Sequence, residues 1–260
     1  MVEGELSDEL VRLWRLPTGS GLGRRAALDI DQVVGTAVEL ADHAGLAGAT
    51  LPKIAERLQV TPMSLYRYIG SKDELLVLMG DMAFGPGVEL DDRDSWRGGL
   101  RQWATGLWSA YQSHPWLADL PVSSPPRGPH AIAWMDAGLR AMREVELDPL
   151  TKVGTLTLLS GYVNFAARMA QQLEQGRQRE GVDSALAAQE YGREMAALVT
   201  QRRFPDAAEL FAVRPFEADA APSTDNPADP TANFDFGLAV ILDGVEAIVQ
   251  NRSAERVQPS

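Results

Sequence analysis

The chain has 260 residues, 36 acidic side chains against 24 basic ones, and a formal net charge of −12. It contains no cysteine, which excludes disulfide scaffolds and thiolate metal sites and fits a cytoplasmic protein. No apolar run approaches the ~18 residues of a membrane span, and the acidic start MVEGELSDEL is not a signal peptide. The acidic total does not exclude DNA as a partner, because affinity for DNA depends on local phosphate contacts.

Residues 1–23 are predicted to form a flexible extension, because TGSGLG within them has linker composition. Leu10, Leu13 and Trp14 could form a short amphipathic turn, and disorder is the alternative. Arg24 and Arg25 follow directly and could reach phosphates or the minor groove. The alternative for these two arginines is a solvated charge pair.

The first long helix is predicted to begin at a capping box of Asp29 and Gln32 and to end at Gly45. Thr50 caps the next helix, in which Pro52 is tolerated in the first turn. The apolar face of the first helix consists of Ile30, Val33, Val34, Ala37, Leu40 and Ala41.

The stretch TLPKIAERLQVTPMSLYRYIGSK, residues 50–72, has the pattern of a helix-turn-helix. Gln59 and Val60 form a tight joint, and Thr61 with Pro62 restarts a helix. On that second helix Leu65 and Ile69 share one face, and the opposite face displays Met63, Ser64 and Arg67, flanked by Tyr66 and Tyr68. Such a helix suits a DNA major groove. Any two short amphipathic helices of an all-helical protein would also produce this pattern.

Another helix is predicted from Ser71 to about Phe84, opened by a capping box of Ser71 and Glu74. It is apolar on more than one side, so we expect it to pack between two domains. Gly85-Pro86-Gly87 ends it, and an acidic run marks a domain boundary at about 88–94.

The remaining chain is predicted to be helical. Trp96, Leu100, Trp103 and Leu107 form an apolar stripe on a helix that ends near His114-Pro115. Further helices are expected at about 130–145, with Ile132, Met135, Leu139 and Met142 on one side, at 149–175, at 183–202 and at 233–251. The helix at 149–175 is apolar all round, so we expect both its flanks to be buried. Residues 218–230 are predicted to be a disordered loop, and 252–260 a tail.

Residues 28–84 resemble the DNA-binding domain of the TetR family of repressors, through IAERLQV, SLYRY and KDELL. The resemblance implies a three-helix domain, here 24–87, whose first helix braces the other two and whose Thr50 meets a phosphate. Many relatives carry a basic residue where this chain has Pro52, so one backbone contact is expected to be missing. The DNA-binding residues are predicted to be Arg24, Arg25, Thr50, Thr61, Met63, Ser64, Tyr66, Arg67, Tyr68 and Lys72.

The second half resembles the tetracycline-repressor-like branch of the family through SWR, SHPWL and WMDAGL. This resemblance implies a helical ligand-binding and dimerisation domain at 88–251, in which the segment near 150–175 and the last helix form a four-helix bundle with a partner chain. We expect Leu238, Ile241 and Val245 in that interface. The predicted fold class is therefore all-α, with a helix-turn-helix domain followed by a larger helical domain.

The predicted ligand is a small aromatic or hydrophobic molecule, because pockets of this kind are mostly apolar. Core packing is the alternative role for each predicted wall residue. Those residues are Trp103, Trp108, Trp134, Met135, Tyr162, Asn164, Phe165 and Met169.

No catalytic motif is recognised in the sequence, and we predict that the chain is not an enzyme. Its histidines, His43, His114 and His130, lie at no metal-ligand spacing. Relatives that bind a magnesium–tetracycline chelate carry a His before the loop that here reads LPVS, and it is absent. We therefore expect no cofactor, no metal and no tetracycline.

The sequence predicts a homodimeric repressor that binds a palindromic operator and is released by a small effector. The effector, bound among Trp103, Trp134 and Phe165, would act by tilting the helix that begins at Ser71. The alternative is a ligand-independent DNA-binding or protein-interaction module with a filled second core.

Overall fold

The computed structural model describes residues 6–17, 28–91, 95–121, 125–181, 184–212 and 230–257. All regular elements in these ranges are helical, which confirms the all-α prediction. None of these helices is both long and apolar enough to cross a membrane. The helices are α1 (Asp8–Leu13), α2 (Ile30–Ala44), α3 (Leu51–Arg57), α4 (Pro62–Ile69), α5 (Lys72–Phe84), α6 (Trp96–Ser113), α7 (Pro129–Ala141), α8 (Pro149–Glu180), α9 (Ser184–Leu198), α10 (Pro205–Ala212) and α11 (Pro230–Val257).

Two further segments, Leu46–Gly48 and Pro115–Asp119, are short 3-10 helices that the sequence did not predict. The chain divides into two compact units, residues 1–160 and residues 161–260. Helix α8 contributes its first 12 residues to the first unit and the rest to the second. The predicted domain boundary near residue 88 falls inside the first unit and stays a prediction.

Helices α2, α3 and α4 form a three-helix cluster, which we call the reading head. The predicted capping box opens α2, since Asp29 accepts from the Gln32 amide and the Gln32 side chain accepts from the Asp29 amide. Helix α3 ends at Arg57. Gln59, two residues later, has a left-handed φ of +56°, and the Val60 amide donates to the Ala55 carbonyl at 2.9 Å. The buried core of the head includes Val33, Val34, Ile54, Ala55, Leu65 and Ile69.

Helix α5 packs against the reading head through α2 and α4 and against α6 and α7 on its other side. The prediction that it packs between two domains stays a prediction, because all of these helices belong to the first compact unit. Ser71 caps it by accepting from the Glu74 amide at 3.0 Å. Only this half of the predicted capping box forms, because the Glu74 carboxylate accepts hydrogen bonds from Arg12 of α1.

In the N-terminal extension, the sequence left a short amphipathic turn at Leu10, Leu13 and Trp14 as an alternative to disorder, and helix α1 forms there. Ser7 accepts from the Leu10 amide and caps α1, whose Leu13 is buried. Arg15 binds Asp31 of α2 at 2.7 Å. Residues 18–27, including Arg24 and Arg25, and most of the predicted loop at 218–230 lie outside the described residues.

Helix α7 buries the predicted face only in part. Met142, at its C-cap, is fully buried, whereas Ile132, Met135 and Leu139 are half-buried. The buried residues within the helix are Trp134, Ala137 and Gly138. Gly138 lies directly against the Leu156 side chain, where a Cβ would collide with it, so the close contact requires a small residue that the pattern of large apolar residues did not identify.

Helices α8 and α11 leave large apolar side chains exposed in the single chain. Leu158 and Phe165 of α8 are 57% and 60% exposed, so burial of both flanks requires a partner chain and stays a prediction. Leu238 and Val245 of α11 are buried within the chain, so they do not belong to an exposed stripe. Helix α11 runs from Pro230 to Val257, beyond both predicted ends.

Candidate DNA-reading surface and ligand cavity

Helix α4 presents the side chains that the sequence assigned to DNA. Leu65 and Ile69 are fully buried against the head, which turns the opposite face of the short helix outward. On that face Met63 is 75% exposed, Tyr66 is 41% exposed and Arg67 is exposed. Ser64 and Tyr68 are half-buried at its edges, and the Ser64 hydroxyl donates to the Thr61 carbonyl at 2.6 Å.

Thr50 and Thr61 occupy the N-cap positions of α3 and α4, but neither side chain makes a capping hydrogen bond. The predicted capping role of these two hydroxyls was therefore wrong. Both residues are exposed, and among the described residues neither hydroxyl has a hydrogen-bond partner. Two exposed hydroxyls beside the free amides of two helix N-termini are suited to bind phosphate oxygens.

Exposed basic residues accompany this surface. Lys72 opens α5 directly behind α4, and Lys53 lies in the first turn of α3. Lys53 was not among the predicted DNA contacts, although it follows Pro52, where the resemblance led us to expect a missing basic residue. Because Lys53 is exposed in the first turn of the helix that Thr50 precedes, it is a candidate for that backbone contact.

A cavity of about 240 Å³ lies within the first unit, between helices α5, α6, α7 and α8. Its wall is largely aromatic and aliphatic, with two hydroxyl side chains from α8, and none of its residues carries a charged side chain. The lining residues are Phe84, Trp103, Leu107, Tyr111, Pro126, Ala131, Trp134, Met135, Val153, Leu156, Thr157 and Ser160.

The polar groups of two tryptophans in this wall are tied to the backbone. The Trp103 indole N–H donates to the Trp134 carbonyl at 2.7 Å, and the Trp134 indole N–H donates to the Phe84 carbonyl at 3.1 Å. The two rings meet edge to face, with centroids 5.9 Å apart, and Phe84 meets Tyr111 in the same way at 5.5 Å. Ring faces and edges therefore form the inner surface of the cavity.

The wall hydroxyls are also engaged. Thr157 donates to the Val153 carbonyl at 3.0 Å, and Ser160 donates to the Leu156 carbonyl at 2.8 Å. Their oxygens can still accept a hydrogen bond from a ligand. A ligand in this cavity would thus gain free energy mainly from burial and shape, with few polar contacts.

Three of the predicted wall residues, Trp103, Trp134 and Met135, line the cavity. Trp108 is buried but is not a lining residue. The other four predictions, Tyr162, Asn164, Phe165 and Met169, belong to the second unit and do not line this cavity. Sequence periodicity held the missing information, since Trp103, Leu107 and Tyr111 are spaced by four on one face of α6.

The cavity wall is joined directly to helix α5. Phe84 is the last residue of α5, and the indole of Trp134 binds its carbonyl. Three residues earlier, the Asp81 carboxylate caps the N-terminus of α7 by accepting from the Ala131 amide at 3.1 Å. Because α7 and the end of α5 share these bonds, a change of the wall must move α5 or break them.

In the second unit, α8 and α11 leave a set of large apolar side chains exposed. Tyr162 joins the two helices by donating to the Asn233 and Phe234 carbonyls, each at 2.9 Å, and by stacking on the Phe234 ring. Burial raises the pKa of the Tyr162 hydroxyl above its ordinary value. The exposed apolar residues are Phe165, Met169, Leu173, Phe236, Val240 and Ile248.

Comparison with known proteins gives two family-model matches along the chain. Residues 33–79 match the model described as bacterial regulatory proteins, tetR family. Residues 89–249 match the model described as tetracyclin repressor-like, C-terminal domain. The first match contains α3 and α4, and the second contains most of the cavity-lining residues.

Relatives agree with these matches. The HTH-type transcriptional repressor DrrR1 of Streptomyces coeruleorubidus is 31% identical over 255 residues, which cover 97% of this chain and 90% of that protein. An HTH-type transcriptional regulator of Saccharopolyspora erythraea is 29% identical over 176 residues, covering 67% of this chain and 74% of that protein. Both relatives are regulators of transcription by name.

Solved structures share the fold. The TetR family protein ActR of Streptomyces coelicolor, in complex with actinorhodin, superimposes with a TM-score of 0.68 at 24% identity. That comparison covers 86% of this chain and 99% of ActR. The complex of ActR with (S)-DNPA gives the same TM-score at 23% identity, with the same coverage.

Proposed function

Since this chain belongs to the TetR family of transcriptional regulators, we propose that it is a homodimeric repressor released from its operator by a small, uncharged aromatic effector. The observation that carries the effector is the cavity, whose wall contains four aromatic rings and no charged side chain. The rival, a module with a filled core and no ligand response, is disfavoured by the same cavity. We place the action of the repressor in the cytoplasm, with the operator DNA.

The DNA-binding role rests on α4 and the two N-caps. Met63, Tyr66 and Arg67 extend from a helix whose other face is fixed in the head. Arg67 can bind a guanine edge with two hydrogen bonds or a phosphate with one. Thr50 and Thr61 offer hydroxyls that no described residue uses, and phosphate contacts of this kind set the position of the helix in the groove.

The effector class follows from the chemistry of the wall. A charged ligand would lose its hydration without gaining a partner, because none of the lining residues is ionisable at neutral pH. At about 240 Å³ the cavity is smaller than the ~300–1,000 Å³ of typical ligand pockets. We therefore expect a compact, planar molecule, held by the rings of Trp103, Trp134 and Phe84. ActR, which shares the fold, is known in complexes with actinorhodin and with (S)-DNPA.

Release of DNA is proposed to pass through α5. An effector that displaces Trp134 must alter its hydrogen bond to the Phe84 carbonyl, at the C-terminal end of α5. The N-terminal end of α5 follows α4 after only Gly70 and Ser71. A tilt of α5 would therefore change the spacing of the two reading heads in a dimer. A preference of about 1–3 kcal/mol for the released state lowers DNA affinity ~5–150-fold.

The dimer is proposed to form through the exposed apolar face of α8 and α11 in the second unit. Phe165, Phe236 and Val240 are 60%, 71% and 53% exposed, and a patch of this kind on one protein usually marks an interface. Phe236→Asp together with Val240→Asp is expected to give monomers in light scattering and to abolish binding to a palindrome. Leu210→Asp, at a residue 51% exposed on α10, is the matched control and should remain dimeric. A double variant that stays dimeric would contradict this interface.

The proposed function is tested by footprinting the protein on DNA that flanks its own gene, with and without a panel of aromatic compounds. We expect a palindromic footprint that one or more neutral planar compounds remove. Arg67→Ala is the control for the DNA arm, and Met135→Trp, which fills the cavity, is the control for the effector arm. Protection that no compound changes in the wild type, with a cavity shown to stay empty by calorimetry, would favour the ligand-independent module.

A further inference from the structure

The N-terminal residues Ser7–Leu16, which we call the clamp, touch both the reading head and the rim of the cavity. Toward the head, Arg15 binds Asp31 of α2 at 2.7 Å. Beside the head, in the first turn of α5, the Glu74 carboxylate accepts two hydrogen bonds from Arg12, from Nε at 2.5 Å and from Nη2 at 3.0 Å. Toward the rim, the Trp14 indole N–H donates to the Arg127 carbonyl at 2.8 Å, and Glu9 pairs with the Arg127 guanidinium.

The bonds between Arg12 and Glu74 are important for stability because Glu74 is buried. It is only 7% exposed, and a buried carboxylate is stable only when it is paired and hydrogen-bonded. Apart from its own helix cap, its hydrogen bonds within the described residues come from Arg12. These bonds also raise the pKa of Arg12 above its ordinary value. Without Arg12, a buried charge would be left uncompensated one turn into α5.

The Arg12–Glu74 pair lies against the end of helix α4. Gly70, the C-cap of α4, has a left-handed φ of +67°, and a Cβ there would collide with the Glu74 carboxylate and the Arg12 guanidinium. The pair therefore occupies the space immediately beside the last turn of the helix that reads DNA. Loss of the pair would free that turn to move.

At its other end the clamp binds Arg127, which lies between a residue of the cavity wall and a residue packed against α5. Pro126 lines the cavity, Arg127 binds the clamp, and Gly128 approaches α5 so closely that a Cβ would collide with Asp81. A displacement of Pro126 by a ligand cannot leave Arg127 unaffected, because the two residues are adjacent in the chain. The cavity and the clamp are thus linked by one peptide bond.

The contact between the clamp and the rim leaves one buried hydrogen-bond donor of Arg127 without a partner in the described part of the chain. Arg127 Nε is buried and has no hydrogen-bond partner among the described residues, while its Nη2 pairs with Glu9. A buried donor without a partner costs stability in this arrangement. The contact to Glu9 and Trp14 is therefore less stabilising than one in which every buried donor of Arg127 has a partner.

We propose that the clamp is a second link between cavity and reading head, in which Arg12 is a positioning residue for the end of α4 and Arg127 transmits the state of the cavity rim. This inference rests on the proposed function, because it explains how an effector signal reaches DNA by a route additional to α5. It adds residues of the N-terminal extension to a switch that otherwise involves only the helical core.

The first test measures amide hydrogen exchange in the free full-length protein, without DNA or effector. Arg127→Gln removes a residue with no contact to α4, and we expect faster exchange in α1, in the last turn of α4 and in the first turn of α5. Arg193→Gln is the matched control, since its exposed side chain pairs only with Glu190 at 3.7 Å in the second unit. Exchange of residues 66–75 that is equal in the two variants would overturn the proposal.

The second test is a charge exchange between the clamp and the rim. Glu9→Arg and Arg127→Glu should each accelerate exchange in α4, and the double variant should restore protection. A double variant that exchanges as fast as the single ones overturns the proposal, because it would show that the effect is general destabilisation. Circular dichroism confirms that each variant has kept its helical content.

The third measurement uses the operator fragment defined by footprinting. Arg12→Gln and Arg127→Gln are expected to weaken operator binding by roughly 2- to 30-fold, the range for residues that modulate coupling between sites, and Arg193→Gln should not. Unchanged operator affinity in both clamp variants also overturns the proposal. If the wild type protects no DNA, the repressor function fails, and the hydrogen-exchange result still decides whether the clamp positions α4.

Discussion

On the reading head, Met63, Tyr66 and Arg67 are exposed, and the hydroxyls of Thr50 and Thr61 have no partner within the described residues. In the cavity, by contrast, the indole N–H groups of Trp103 and Trp134 donate to backbone carbonyls, as the hydroxyls of its wall also do. The head therefore has polar groups available for hydrogen bonds with a partner, whereas most donors of the cavity wall already bond to the protein backbone. Specific hydrogen bonds should control affinity at the first site, whereas volume and apolar area should control it at the second.

The two sites also differ in how they depend on the rest of the fold. The head exposes residues whose removal leaves its core intact. The cavity is bounded in part by buried core side chains, including Trp103, Trp134 and Leu156, so these residues contribute both to its shape and to the stability of the protein. Four substitutions test this difference.

The largest effect is expected from Leu156→Ala in the cavity wall. Leu156 is 5% exposed and packs against Gly138, so its truncation should lower the free energy of unfolding by about 2–5 kcal/mol. Urea unfolding at a fixed protein concentration measures this change. Met63→Ala, at a residue 75% exposed on the head, is the control and should unfold like the wild type. Equal stability of the two variants would remove the distinction between the sites.

Arg67→Ala should have the second-largest effect, and only on DNA. If Arg67 binds a base, the variant loses about 1–3 kcal/mol of operator affinity, with no change in urea unfolding because the side chain is exposed. Fluorescence anisotropy on operator and random DNA, at several salt concentrations, separates the two roles. Equal weakening on both DNAs with a smaller salt slope would assign Arg67 to a phosphate. No loss on either DNA would contradict the role of α4 as the reading helix.

Thr50→Val should have a smaller effect on DNA. The hydroxyl is exposed and without a partner among the described residues, so a phosphate contact through it is worth about 0.5–1.5 kcal/mol. Operator and random DNA should lose the same amount, because phosphates carry no sequence information. The salt slope should stay unchanged, since no charge is removed. Sequence-selective weakening would show instead that Thr50 touches a base.

Thr157→Val, the same substitution in the cavity, should have the smallest effect. Its hydroxyl donates to the Val153 carbonyl of its own helix, an acceptor that the helix backbone already uses. We expect the free energy of unfolding and the operator affinity to change by less than about 0.5 kcal/mol. The pair Thr50→Val and Thr157→Val thus compares one chemical change at the two sites. A larger loss of effector response in Thr157→Val would reveal a hydrogen bond from the ligand to this residue.

The sequence predicted the reading head well because local signals specify it. A capping box at Asp29, a left-handed joint at Gln59 and the spacing of Leu65 and Ile69 each act within a few residues of the chain. The hydroxyls of Thr50 and Thr61 are exceptions, and Thr61 shows why. Its residue type predicts a cap, but whether a side chain bonds its own helix depends on its rotamer, which the sequence does not specify.

The cavity was predicted only in part, because tertiary packing decides which face of each helix it uses. On α7 the buried face was predicted from large apolar residues such as Ile132 and Leu139, which are half-buried. The small residues Ala137 and Gly138 are buried instead. Helices α8 and α11 are apolar all round, so periodicity could not tell Leu238, which is buried, from Val240, which is exposed. Helix α1 did carry a signal, since Ser7 precedes Asp8 and Glu9 in the manner of a helix start.

The bonding of the two wall tryptophans has a consequence for how such a regulator changes over evolutionary time. Their N–H groups bind backbone carbonyls, which every residue type provides, so the frame of the cavity does not depend on the identity of its smaller neighbours. Ala131, Met135 and Val153 can be exchanged for other apolar residues without breaking a side-chain hydrogen bond. A lineage could thus acquire a new effector by drift at these positions and keep its operator. DNA specificity and ligand specificity would then evolve independently within one gene.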